Sequence, residues 1–67
     1  MTDAEAVAQL HALIVIKDGE ECPAYSPESL HWDAEDIILA VLEQRGAHDV
    51  ATAFRHLRNT PHCFWYA

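Results

Sequence analysis

The sequence predicts an all-α fold: a small three-helix domain spanning residues 1–67, built from a helical hairpin and an N-terminal helix, with an ordered aromatic C-terminal tail. Three observations predict it. Apolar residues recur at three- and four-residue spacing in three separate segments, the period of a buried helix face. Capping signals open the first two of these segments, and Gly46 marks the end of the second. Finally, 51% of the residues are apolar, close to the globular norm of about 45–50%, which disfavours a disordered chain.

Thr2-Asp3-Ala4-Glu5 reads as a capping box, the Thr2 hydroxyl capping the helix and Glu5 reaching back. Val7, Leu10 and Ile14 then form a stripe widened by Leu13, which predicts a helix over residues 3–16. The stretch Leu13–Ile16 is rich in β-branched residues, and Lys17-Asp18-Gly19 has the chemistry of a hairpin turn. The alternative is therefore α+β, with residues 13–17 as a strand paired to residues 63–66. The agreement of cap and stripe favours the helix.

Gly19 to Tyr25, marked by Asp18-Gly19 and Pro23, reads as a connector. Ser26-Pro27-Glu28 is a helix-start signal and predicts a single turn near residues 27–31, with Leu30 and Trp32 laid over the hairpin. Asp33 restarts the chain as an N-cap, with Asp36 at the capping-box position. In the helix expected over 34–45, Ile37, Ile38, Val41 and Leu42 share a face. Leu39 falls off it, and is either an exposed apolar residue or the mark of a helix covered on two sides. Gly46 supplies the left-handed residue that ends a helix. The last helix, over 48–58, sets Val50, Ala53, Phe54 and Leu57 against a polar stripe of His48, Thr52, Arg55 and Asn59, and Pro61 stops it. So short a connection makes the last two helices packed neighbours. The expected core is Val7, Leu10, Ile14, Ile38, Val41, Leu42, Val50, Phe54 and Leu57. Behind it the tail His62-Cys63-Phe64-Trp65-Tyr66-Ala67 carries three adjacent aromatics, fit either to cap the core or to dock elsewhere.

The formal charge of −7 is unevenly spread. Nine acidic residues precede Ile37 against Lys17 alone, a distribution that repels nucleic acid and suits a basic protein partner. No basic leader or long apolar run is present in the sequence, so a cytoplasmic protein with reduced Cys22 and Cys63 and no membrane association is expected. Neither C-x-x-C nor H-x-x-x-H spacing occurs, and no metal, cofactor or catalytic residue is assigned. The chain is expected not to be an enzyme, because so small a domain has little room for a substrate pocket.

A chain this short buries only roughly 60% of its unfolded surface, so some apolar side chains should meet another molecule. The leading expectation is an inhibitor- or adaptor-type protein that binds another protein, or itself as a homo-oligomer. In type, a short, acidic, helical chain without a chemical motif is similar to many phage-encoded or accessory proteins that act by binding. Its expected contact residues are Phe64, Trp65, Tyr66 and Leu39 for apolar area and Glu20, Glu21, Glu35 and Asp36 for charge. The same carboxylates support an alternative, an acidic nucleic-acid mimic that blocks a nucleic-acid-binding protein. Such a mimic needs a dense row of charges, since duplex DNA carries one per about 1.7 Å. A third reading, a helix-turn-helix-like nucleic-acid binder using the polar stripe of the last helix, has only four Lys and Arg in the chain to support it.

Overall fold

A computed structural model describes residues 1–60. The order is α1 (Asp3–His11), β1 (Ile14–Lys17), β2 (Glu20–Pro23), α2 (Pro27–Gln44) and α3 (His48–Asn59). The protein is mostly helical, with a small antiparallel two-stranded sheet, and so carries the helices of the first reading and a strand pair of the alternative.

The Thr2 cap forms as a full capping box: the Glu5 amide donates to the Thr2 hydroxyl at 3.1 Å, and the Thr2 amide donates to Glu5 Oε1 at 2.8 Å. The helix nevertheless stops at His11, not residue 16. Ile14, Val15 and Ile16 carry two heavy branches on Cβ and gain more on a pleated ribbon than in a helix. Asp18 and Gly19 both take positive φ, 53° and 79°, the pair of values a two-residue hairpin loop demands. The ribbon pairs Ile14 with Pro23, Val15 with Cys22, Ile16 with Glu21 and Lys17 with Glu20. β1 therefore exists, but its partner is β2, built from what the sequence presents as connector. Residues 63–66, the partner expected in the alternative, lie outside the described residues.

The single turn and the helix restart also merge. α2 runs unbroken for 18 residues from Pro27, because nothing between Pro27 and Gly46 breaks a helix. Asp33 consequently caps nothing. Its carboxylate accepts the Tyr25 hydroxyl, which ties the connector to α2 and, through that bond, raises the Tyr25 hydroxyl's pKa. At the other end Gly46, at φ 80°, lets its own amide reach the Glu43 carbonyl at 3.1 Å and the Ala47 amide reach Leu42 at 2.9 Å. These two bonds satisfy carbonyls the helix end leaves open and aim the chain straight into α3.

Helix packing runs through α2, with α1 and α3 each laid against it. The Arg45–Asp3 ion pair joins the end of α2 to the start of α1, so these two run antiparallel, as do α2 and α3. The assembly measures 41 × 32 × 11 Å. Two stacked helix layers need roughly 8–10 Å between axes plus about 4.6 Å for the Cα cylinder of a helix, so the described residues form a single layer. A single layer has little interior. Its buried apolar residues among those described are Ala6, Leu39 and Ala51. Of the expected core, Val7, Ile14, Ile38, Val50 and Leu57 are exposed, and Leu10, Val41, Leu42 and Phe54 are half-buried. The stripes are real, yet they look out from the layer instead of into a second one.

The Glu5 carboxyl titrates below its ordinary 4.5, chiefly because it accepts the Thr2 amide and then the Thr2 hydroxyl. A depressed carboxyl stabilises α1 above about pH 4.5, and that support is lost as pH falls through the lower folded value. In an NMR titration the Thr2 amide shift should move with an inflection below 4.5. Glu5→Gln, which keeps the box without a charge, should remove that inflection.

Candidate interaction surfaces

Two surfaces emerge from this layer, and one side chain organises the first. Arg58, in the last turn of α3, has only 9% of its side chain exposed. Its guanidinium lies 4.2 Å from the centre of the Trp32 ring, and its Nη1 reaches Asp36 Oδ1 at 2.9 Å and Glu35 Oε1 at 3.4 Å. Glu35 is itself buried, and its second oxygen meets His31 Nε2 at 2.9 Å. His31, Trp32, Glu35 and Asp36 present these groups together because all four sit within about one and a half turns of one helix. Further along, Arg55 of α3 pairs with Glu43 of α2. The two helices are thus zipped along one side by charge.

Beside the zip lies an apolar cleft of about 250 Å³. Ala34, Ile38 and Leu42 of α2 form its wall in steps of four, Leu39 its buried floor, and Phe54 of α3 its far side. Ile38 is 48% exposed, and Val50 and Leu57, one turn to either side of Phe54 on α3, are 58% and 42% exposed.

The second surface is the hairpin. All four residues of β1 are exposed, Ile16 the most of its three apolar ones at 69%. A recess of about 280 Å³ lies where the hairpin's foot, at Leu13, Ile14 and Pro23, meets Leu30 at the start of α2. Among the described residues β1 has a ladder partner on one edge only. Glu20 and Glu21 are exposed on β2, next to Asp18 in the turn.

The contact residues read from the sequence distribute unevenly over these surfaces. Glu20 and Glu21 stand on the hairpin in solvent. Leu39 is 1% exposed and is therefore interior, since α2 is covered on more than one side. Glu35 is buried, and Asp36, though exposed, is held by Arg58. These four carboxylates accordingly belong to two elements, and two of them are neutralised within the fold. Phe64, Trp65 and Tyr66 lie outside the described residues. On α3 the polar stripe His48, Thr52, Arg55 and Asn59 is exposed, with Arg55 engaged by Glu43. Sequence reasoning missed the hairpin's Ile14–Ile16 as a surface, although the β-branched run before Asp-Gly was its signal. It also missed the Arg58–Trp32 contact, which joins positions 26 residues apart and has no local signature.

No helix among the described residues is long and apolar enough to cross a membrane. No family model matches the chain, and no curated protein or solved structure matches it.

Removing Arg58 would leave Glu35 buried without its guanidinium. Loss of one partner of a buried pair costs about 3–5 kcal/mol, as much as a core this small supplies. Arg58→Met should therefore unfold most of the protein at room temperature, read as loss of the helical circular-dichroism signal. Arg55→Met, at an exposed pair, should cost under about 1 kcal/mol in urea denaturation.

Proposed function

We propose that this is a small non-enzymatic protein of the inhibitor or adaptor type, and that it joins another protein through the β1–β2 hairpin. The observation that carries the reading is β1 itself, a strand whose every residue is exposed, with Ile14, Val15 and Ile16 in succession. An isolated two-stranded ribbon is marginal in water, and an open apolar edge invites pairing, so folds normally cover or charge such edges. Lys17 is the one charged residue on β1. A partner segment adding to this edge gains main-chain hydrogen bonds from the ladder and apolar contacts from alternate side chains. Asp18, Glu20 and Glu21 sit beside it, so the complementary segment is an extended, basic one, drawn in by a chain of formal charge −7.

The test is capture by the tagged full chain from an extract of its source, with Ile14→Lys/Ile16→Lys as the matched control. The expected result is a discrete protein held by the native chain, released as salt rises, and absent with the double variant. Equal capture by the double variant would remove the hairpin from the interface. Capture that appears only after deletion of residues 61–67 would assign the edge to the chain's own end instead.

A further inference from the structure

The ladder leaves the two edges of the hairpin unequal. The Ala24 amide donates to the Leu13 carbonyl at 2.9 Å, which makes Leu13–Ala24 a hydrogen-bonded pair. Bonded and non-bonded pairs alternate along an antiparallel ladder, so Val15–Cys22 and Lys17–Glu20 are bonded pairs as well. The N–H and C=O groups of Ile14 and Ile16 therefore point away from β2, to the outer edge of β1. On the outer edge of β2 the corresponding residues are Glu21 and Pro23, and proline has no N–H to donate. The β1 edge offers a full set of donors and acceptors, and the β2 edge does not.

We propose that β1 selects a segment carrying a basic and an apolar residue two positions apart, laid antiparallel along it with the basic residue opposite Ile16. The inference rests on the reading of β1 as the docking edge and deepens it to the sequence of the segment. A strand added there exchanges both of its ladder bonds with Ile14 and with Ile16, and antiparallel pairing is the more stable ladder per residue. Side chains alternate between the two faces, so each position of the segment extends an existing rung. The Ile16 rung runs on to Glu21, and both side chains are exposed. A Lys or Arg placed opposite Ile16 lays its stem over that isoleucine and brings its charge to Glu21. The Ile14 rung ends on Pro23, so an apolar residue extends it. Between them, on the other face, a β-branched residue joins Val15 and Cys22. Lys17, the cation on β1, lies on that other face and stands opposite Glu20. The order along the segment is therefore basic, β-branched, apolar, with no proline at the first or third position, where an N–H is needed.

The probe is an acetylated and amidated peptide, Thr-Thr-Arg-Val-Ile-Thr-Thr, titrated into the full chain and followed by NMR. In the free chain the Ile14 and Ile16 amides should exchange with solvent faster than those of Val15 and Lys17, and the peptide should protect them. N-methylation of the peptide's arginine or isoleucine should weaken binding about tenfold or more, because a ladder donor is lost. N-methylation of its valine, whose N–H faces water, should change binding by less than about twofold. Glu21→Lys should lose the arginine peptide and gain the peptide with glutamate in its place, a charge swap that a folding defect does not produce. An equal response to N-methylation at all three positions, a preference for the reversed order Ile-Val-Arg, or indifference to the charge at position 21 would overturn the inference while leaving β1 as the docking edge. A peptide that leaves the Ile14 and Ile16 amides unmoved, or moves them only after residues 61–67 are deleted, overturns it too. The capture experiment with Ile14→Lys/Ile16→Lys reports separately on the edge itself.

Discussion

The guanidinium of Arg58 holds the helical pair together in the way a core holds a larger protein. It is stacked on Trp32, bonded to Asp36 and Glu35, and nearly withdrawn from water at the end of α3. Guanidinium suits this position because its flat face can lie on an indole while its edge donates to carboxylates in the same plane, and because it is less strongly hydrated than an ammonium. With Gly46 turning the chain at one end and Arg58 clasping it at the other, α3 has one place to lie against α2. His31, on the far side of Glu35, shares that buried carboxylate. Polar contacts therefore settle the register of a pair whose apolar side chains are mostly half-exposed.

The consequence is a fold held in plane and open out of plane. α2 is flanked by α1 and α3, and Leu39 is the one large side chain among those described to be wholly enclosed. Alanine is the other buried apolar residue type, Ala6 on α1 and Ala51 on α3, where a small side chain lets helix backbones approach closely. Lateral packing of this kind uses little apolar area. The larger residues, Ile38, Val50, Phe54 and Leu57, remain at the face of the layer, and Ile14 to Ile16 remain on the hairpin.

These two surfaces differ in chemistry. The hairpin joins a ladder edge that is open among the described residues to clustered carboxylates, the combination on which the proposed binding of an extended basic segment rests. The α2–α3 face is apolar at its cleft, with the bordering charges Arg58–Asp36 and Arg55–Glu43 paired across the helices.

Local order was readable from the residues themselves. The Thr2–Glu5 box, the Gly46 turn, the extent of α3, and the stripes Ile38–Leu42 and Val50–Leu57 all depend on interactions within a few positions, and local spacing specifies those. The Asp18-Gly19 turn was equally legible, though the stripe through Leu10 and Ile14 competed with it, and the ribbon prevailed where β-branched residues follow one another. The continuity of α2 through Asp33 was harder to see, because a good cap is equally compatible with mid-helix when its carboxylate finds Tyr25 instead. What only the tertiary structure decided was which side of each stripe is covered: Leu39 inside, Ile38 outside, Glu35 buried and Arg58 drawn over Trp32. Helical periodicity states that a face is apolar but not how many layers the chain can supply to cover it, and burial follows from that number.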